Sequence, residues 1–338
     1  MTALHTAGPA TRTCLEVADF LDFLDKEYLA GYVGRGGAAV KLLVPVDEPA
    51  ASELASGLDR LGDGFAHAAV DAVTTRVHMI DQVFATVARQ LDWVELAGAV
   101  VRSAFDHAGF PPPPGTGQAC GIAAVAGHHE VDATELYRSV RRAVEQIVLR
   151  DTALSHEFRV AMLRLCQERL GRGDVTEAER ETVIGWLRGE RVPAGDLRKL
   201  GLHGKVARHN ARRLLLSTTR WLRLAGHAGL VMHLDLTRLA VARRPPAGLR
   251  DGYYYSKAAT HDAYELLRQL IDGTDDSEGL FVAVLMPADL VNDEARGLPT
   301  YTALRLRVVD EVRDRSRANP YSTMVRIGAP TAAPEALS

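Results

Sequence analysis

The sequence predicts an α/β protein in which a parallel sheet of about five strands carries a large all-α insertion between strands two and three. Short apolar runs bounded by turn residues indicate the strands, and apolar residues at helical spacing follow several of them. Strand signals disappear from the middle of the chain, where helical periods dominate. Because strands and helices alternate near the N-terminus, the strands should run parallel with right-handed crossovers.

The elements follow in order along the chain. A helix is expected over residues 15–32, a strand over 39–44, a second strand over 65–73 and a helix over 78–91. Later strands are expected at 230–234, 280–285 and 323–327, with helices over 253–271 and 302–315 between them. The resulting division is a flexible N-terminus (1–14), a first half of the α/β core (15–92), a helical insertion (93–228), a second half of the core (229–330) and a flexible tail (331–338).

Composition excludes several classes of protein. A hydrophobic content of 47% and a charged content of 25% are ordinary for a globular chain, and the net charge of −3 argues against coating nucleic acid through overall charge. Cys14, Cys120 and Cys166 are too few and too far apart for a disulfide framework or a metal site. The chain has neither a run of transmembrane length nor an export signal, so a cytoplasmic location is expected.

The turn after the first strand has the length and position of a phosphate-binding loop but lacks the residues that would bind a phosphate. Aligned with the pattern G-x-x-x-x-G-K-[ST], it has Pro45 and Ala50 in place of the glycines and Ala51 in place of the lysine. Only Ser52 fits, and a helix is expected to begin there. The positions form a degenerate nucleotide site, and a structural turn is the competing interpretation.

Two further observations weaken this site. Asp47 and Glu48 would bring negative charge towards a polyphosphate, and Pro45 removes a backbone N–H. The strand at 230–234 ends in Asp235, which suits a residue that orients magnesium, but Leu236 stands where a water-activating glutamate is usual. No catalytic residue is therefore expected, and no cofactor; ATP with Mg²⁺ belongs only to an alternative hypothesis.

A basic stretch precedes the third strand, with no Asp or Glu between Leu197 and Leu234. A helix is expected over residues 204–224, with basic residues on one broad face. These candidate contacts are Lys205, Arg208, Arg212, Arg213, Arg220 and Arg223. The face could contact DNA or RNA phosphates, dock an acidic partner, or be a solvated surface balanced by acidic neighbours.

Other candidates are weaker. His128 and His129, or His233 with Asp235, lack a third ligand at suitable spacing, so no metal site is expected. Arg305 and Arg307 could act in trans on a neighbouring subunit's nucleotide, or could be solvated helix residues.

The order of several motifs resembles the P-loop ATP-binding proteins of BREX-type anti-phage defence systems. These motifs are residues 186–190 (Trp-Leu-Arg-Gly-Glu), Asn210-Ala211, 226–231 (Gly-His-Ala-Gly-Leu-Val), 267–273 (Leu-Arg-Gln-Leu-Ile-Asp-Gly), 278–280 (Glu-Gly-Leu) and 296–304 (Arg-Gly-Leu-Pro-Thr-Tyr-Thr-Ala-Leu) with Arg307. Upstream, residues 36–41 (Gly-Gly-Ala-Ala-Val-Lys) are similar to the entry to the family's phosphate loop. The resemblance implies an AAA-like ATPase core in a multigene defence system, often beside a helicase.

These observations lead to one main hypothesis and two alternatives. The main one is a pseudo-ATPase that scaffolds or regulates an anti-phage defence or DNA-processing complex, as a hetero-oligomer with an active paralogous ATPase, a helicase or both. The first alternative is a weak or composite ATPase that uses Ser52, Asp235 and Arg307. The second is a DNA-binding module that uses the basic helix.

Overall fold

Five apolar runs form a parallel β-sheet in the computed structural model, which describes residues 14–115, 121–249, 251–309 and 318–329. The strands are β1 Ala38–Pro45, β2 Phe65–Asp71, β3 Gly229–Asp235, β4 Leu280–Leu285 and β5 Met324–Ile327. The predicted α/β class and the parallel sheet are confirmed.

The strands lie side by side in the order β2, β3, β4, β1, β5, and every neighbouring pair is parallel. β1 is therefore an interior strand between β4 and β5. Asp71 at the end of β2 is in register with Asp235 at the end of β3. The carboxyl ends of the strands thus share one edge of the sheet, the edge at which ligands bind in open α/β proteins.

Each face of the sheet packs against its own layer of helices. Leu42 belongs to one hydrophobic core and its neighbour Leu43 to the other, because successive side chains of a strand point to opposite faces. The smaller core lies under α1 Val17–Phe23, its π-helical continuation Leu24–Val33 and α2 Glu48–Leu58. Burial on both faces explains why the strands read as nearly continuous apolar runs.

The remaining helices contribute side chains to the larger core. Between β2 and β3 the described chain is helical, with α3 Ile80–Gln90, α4 Trp93–His107, α5 Ile122–His129, α6 Ala133–Leu149, α7 His156–Arg169, α8 Glu177–Leu187, α9 Ala194–Lys199 and α10 Arg208–Leu224. The second half of the chain adds α11 Lys257–Asp272, α12 Ala288–Asn292 and α13 Thr302–Val308. None of the helices in the described ranges is both long and apolar enough to cross a membrane.

Local capping chemistry sets several helix starts. Thr176 and Glu179 form a capping box at α8, in which the Glu179 carboxylate accepts the Thr176 N–H at 2.8 Å and Thr176 Oγ1 accepts the Glu179 N–H at 3.3 Å. This arrangement satisfies two N–H groups that would otherwise lack partners in the first turn. Asp92 and Asp132 are simple caps: each carboxylate accepts two backbone N–H groups, in the first turns of α4 and α6 respectively.

Some predicted boundaries are wrong for the same reason. α2 begins at Glu48 rather than Ser52, and α10 begins at Arg208 rather than at residue 204, since Asn210 Oδ1 accepts the Ala207 N–H at 2.9 Å. α11 begins at Lys257, because the Ser256 side chain caps it. The expected extension of α13 to residue 315 reaches residues outside the described ranges. Residues 1–13 of the predicted flexible N-terminus (1–14), the predicted tail at 331–338 and Cys120 also lie outside them.

Candidate functional site

The turn between β1 and α2 is much shorter than a phosphate loop. β1 ends at Pro45, and only two residues separate it from the start of α2. Asp47 is the cap of α2, and its Oδ1 accepts the Ala50 N–H at 2.9 Å. The predicted eight-residue turn is therefore wrong: Ala50, Ala51 and Ser52 lie inside the helix, because an aspartate at this position starts a helix by satisfying its first N–H groups.

Few backbone N–H groups of this turn remain for an anion. The Val46 N–H donates to the backbone of β5 at 2.9 Å, and the Ala51 N–H donates to the Asp47 carbonyl oxygen at 3.1 Å. Pro45 and Pro49 have no N–H to give. The Asp47 carboxylate occupies the helix N-terminus, where a phosphate would gain most from the helix dipole. The residues present do not fit a nucleoside triphosphate.

The end of β3 is equally unsuited to activating water. Asp235 Oδ1 accepts the Thr237 N–H at 2.8 Å. The Leu236 side chain is 1% exposed, in the larger core, and its N–H donates to the Leu285 carbonyl oxygen at 2.9 Å. β4 separates β3 from β1, and no hydrogen bond or ion pair in the described ranges joins Asp235 to residues 45–52.

The histidines considered as ligands do not form a metal site. His233 is 9% exposed and burial lowers its pKa, while its Nε2 has no partner among the described residues. His129 Nε2 lies 2.8 Å from the Pro111 carbonyl oxygen, and its ring contacts that of His128. Within the part of the chain that the structure describes, no three His, Cys, Asp or Glu side chains are arranged to hold a metal ion.

Two of the predicted contact arginines on α10 are used inside the fold. Arg220 Nε lies 2.7 Å from Asp151 Oδ2, and its Nη1 lies 3.1 Å from Glu278 Oε2. Arg223 Nη1 donates to the Gly34 carbonyl oxygen at 3.1 Å. Acidic neighbours therefore balance Arg220, as one of the sequence interpretations expected, and Arg223 ties α10 to the segment before β1.

The other four candidate contacts have no internal partner among the described residues. The side chains that make no hydrogen bond or ion pair there are those of Lys205, Arg208, Arg212 and Arg213. Arg213 lines two adjacent cavities of about 420 and 500 Å³, which share Thr152. Arg212 lines the larger cavity, where Asp276 and Glu278 also lie. The mixed charge of this lining suits a partner protein as well as a phosphate.

The two arginines of α13 differ. Arg307 Nε donates to Asp272 Oδ1, and its Nη1 donates to the Ala303 carbonyl oxygen at 2.7 Å. Arg305 is exposed, and its side chain has no hydrogen bond or ion pair to the described residues. Of the pair considered for action in trans, Arg305 is therefore the one whose guanidinium has no partner among the described residues.

A buried arginine near the carboxyl ends of the strands was not predicted from the sequence. Arg296 is 8% exposed, and its guanidinium donates to the carbonyl oxygens of Tyr255 at 2.7 Å, Ala242 at 3.1 Å and Leu239 at 3.3 Å. No carboxylate pairs with it among the described residues. Its place in the motif at 296–304 was the only available signal.

A buried lysine was also missed. Lys41, in the middle of β1, is 1% exposed, and its Nζ donates to the carbonyl oxygens of Pro320 at 2.7 Å and Ser322 at 2.8 Å. The ammonium also lies 4.5 Å from the centre of the Tyr28 ring. Lys41 thus fastens the segment before β5 to the sheet. A single charge inside an apolar run was the signal that could have found it.

The sheet and its β1–α2 turn define an α/β protein that is consistent with a P-loop-like fold. A comparison with protein-family models matches residues 121–332, more than half of the chain, to the family described as BREX system ATP-binding protein BrxC/D. The chain belongs to this family, which confirms the resemblance drawn from the sequence. The matched segment contains α10, β3 and β4 but not the turn at 45–52. Comparisons with curated proteins and with solved structures found no match.

Proposed function

We propose that this chain is a pseudo-ATPase: a subunit with an AAA-like P-loop core that does not hydrolyse ATP and scaffolds or regulates a bacterial anti-phage defence complex. The observation that carries the proposal is the hydrogen bond between the Asp47 carboxylate and the Ala50 N–H. This contact places the chain's own anion where a nucleotide phosphate would bind.

Features of the sheet support the P-loop part of this proposal. β1 is an interior strand and a helix follows its carboxyl end, which is the order of elements around a phosphate loop, although the turn between them is too short to be one. The helices between β2 and β3 fit an insertion in such a core.

The loss of hydrolysis is supported by charge as well as by geometry. No lysine stands at position 51, and Asp47 and Glu48 place two carboxylates at the start of α2. The repulsion between these carboxylates and the phosphates, which are all negatively charged, strongly weakens the binding of a polyphosphate in a partly dehydrated turn. The buried Leu236 replaces the residue that would orient water.

The partners in this proposal are an active paralogous ATPase, a helicase of the same defence system or both, acting together in the cytoplasm. Membership of a BREX system family supports this kind of assembly. Co-expression with the genes that neighbour its own, followed by size-exclusion chromatography, tests it. We expect co-elution with at least one of them, whereas a strict monomer that binds none of them would overturn the scaffold.

Calorimetry with ATP and Mg²⁺ tests the nucleotide part. We expect no heat of binding for the chain alone, and for its complex with a partner only the heat that the partner gives by itself. The matched control is the variant Pro45→Gly/Ala50→Gly/Ala51→Lys/Asp47→Gly, which restores the phosphate-loop pattern. Tight binding by the unmodified chain would replace the pseudo-ATPase by the weak or composite ATPase that uses Ser52, Asp235 and Arg307.

A second candidate function is DNA binding through α10. The side chains of Arg208, Arg212 and Arg213 favour it, because none of them has a partner in the described ranges and such arginines are available to phosphates. If the triple alanine variant keeps both the DNA affinity and its salt dependence, this function is excluded.

A further inference from the structure

The segment that follows β3 forms a basic loop whose base is fixed and whose tip is exposed. We call its described residues, 241–249 and 251–253, the post-β3 loop. Its first limb contains Arg243 and Arg244, followed by two prolines and Leu249. From Leu236 to Arg250 the sequence has no Asp or Glu. The loop lies at the carboxyl ends of the strands, and neither its charge nor its exposure is used by the pseudo-ATPase proposal.

Two arginines brace the base of this loop from both sides. Arg238 Nε donates to the Tyr253 carbonyl oxygen at 2.9 Å, and its Nη2 lies 2.6 Å from Asp251 Oδ1. The buried Arg296 holds the Ala242 carbonyl oxygen at 3.1 Å. The two limbs are thereby held close together, and the Asp251 charge is neutralised by Arg238.

The second limb is also fixed to the sheet. The Tyr253 N–H donates to the Val73 carbonyl oxygen at 3.0 Å, and the exposed Arg76 lies 5.0 Å from the centre of the Tyr253 ring. Gly252 packs so closely that an added Cβ would lie 2.5 Å from Val73 Cγ1. This close approach requires a glycine, so packing against Val73 fixes the position of this part of the loop.

The tip, in contrast, is exposed. Arg243 and Arg244 are exposed and make no side-chain hydrogen bond or ion pair with the described residues. Leu249 is 72% exposed, the largest exposure among the large apolar side chains of the described ranges. The prolines between them restrict the backbone, so that little conformational freedom is lost when the tip binds a partner.

We propose that the post-β3 loop contacts the phosphodiester backbone of a nucleic acid through Arg243 and Arg244, with Leu249 against a sugar or base. Guanidinium groups match phosphate oxygens in bidentate geometry, and polyanion binding needs concentrated charge rather than a concave pocket. Adjacent exposed arginines with an exposed leucine are also the chemistry of proteins that insert a side chain into a nucleic-acid groove. An acidic protein surface fits the same charge, and polyglutamate is the probe that distinguishes it from a nucleic acid.

Fluorescence anisotropy tests the contact directly. The probes are a labelled duplex of about 20 base pairs and one of its single strands, titrated from about 50 to 200 mM salt. For Arg243→Ala/Arg244→Ala we expect a loss of affinity of at least tenfold and a salt slope that is smaller by about 2 for the duplex, because two phosphate contacts are removed. The two probes distinguish duplex from single-stranded nucleic acid as the source of the phosphates.

The variant Arg138→Ala/Arg142→Ala is the matched control, since it removes the same charge from exposed positions of α6. We expect it to change the affinity less than threefold. The proposal is overturned if the loop variant binds as tightly as the unmodified chain, or if the α6 variant loses as much affinity as the loop variant. It is also overturned if polyglutamate binds to the loop while neither nucleic acid binds at low salt, since that result identifies an acidic protein partner.

A second variant reports on the tip without removing charge. Trp93, Trp186 and Trp221 are at most 2% exposed, so Leu249→Trp adds a tryptophan that is distinguishable by its accessibility to iodide. We expect nucleic acid to quench and protect this tryptophan, and an unchanged signal at saturation would exclude the Leu249 contact. Failure of these tests leaves the pseudo-ATPase proposal intact, because that proposal rests on the β1–α2 turn.

Discussion

Arg220 Nε lies 2.7 Å from Asp151 Oδ2, and this pair joins α10 to the turn that precedes α7. The Asp151 side chain is only 9% exposed, whereas that of Arg220 is 34% exposed. The pair therefore matters mainly through Asp151, since loss of the arginine would leave a nearly buried carboxylate without its partner.

We predict that Arg220→Leu lowers the free energy of unfolding by about 2 kcal/mol, the scale of a hydrogen bond to a buried charged group. Arg213→Leu, on the same helix and without a partner, should change it by less than about 0.5 kcal/mol. Urea denaturation followed by circular dichroism measures both. Equal effects of the two substitutions would contradict the division of the basic face into internal and available arginines.

The cap at the start of α2 gives a second prediction. Asp47→Ala should destabilise the protein by about 1 kcal/mol, because the Ala50 N–H loses its acceptor. Asp47→Asn keeps an oxygen in the same place, so its effect should be only a few tenths of a kcal/mol. Thermal unfolding of the three proteins decides the matter, and an alanine variant as stable as the parent would mean that the cap does not hold the helix.

The sequence predicted the sheet well because its strands are buried on both faces. The apolar run at 280–285 coincides with β4, and the expected strand at 230–234 lies within β3. Periodicity and turn residues suffice for such elements. The start of α2 was missed because a phosphate-loop template was imposed on residues 45–52, although Asp47 followed by Glu48 and Pro49 is itself a helix-start signal.

The candidate sites were harder to predict, because their roles depend on contacts distant in the chain. Nothing local distinguishes Arg220 and Arg223, which have partners, from Arg212 and Arg213, which have none in the part of the chain that the structure describes. The post-β3 loop has no periodicity, and the contacts that fix its base join residues distant in the chain, so the sequence does not predict its position.

The buried guanidinium of Arg296 gives a third prediction. Arg296→Met should loosen the base of the post-β3 loop, because the carbonyl oxygens of Tyr255 and Ala242 lose their donor. Hydrogen exchange of the Tyr253 N–H, which donates to Val73, should accelerate by at least tenfold. Exchange of the β4 amides is the internal control and should change much less. Equal acceleration throughout would indicate global destabilisation instead of a local clamp.

The last prediction concerns pH and the buried His233. Burial lowers the pKa of this imidazole, and the opposing charges of Asp235, Asp59 and Asp71 only partly offset that effect. In the unfolded chain a histidine has a pKa of about 6.5. As the pH falls through about 6.5, the histidine therefore becomes protonated in the unfolded state while it is still neutral in the folded state. The free energy of unfolding then decreases. Above about pH 7.5 both states are neutral and this contribution vanishes.

We therefore expect His233→Leu to lose less stability than the parent between about pH 7.5 and 5.5 in urea titrations. Part of the pH dependence should remain, since burial also lowers the pKa values of His67 and His78. Met232→Leu is the matched control: it changes a buried side chain of the same strand that carries no titratable group, so it should leave the pH profile unchanged. Parallel profiles for the parent and His233→Leu would mean that His233 is protonated as readily in the folded protein as in the unfolded chain.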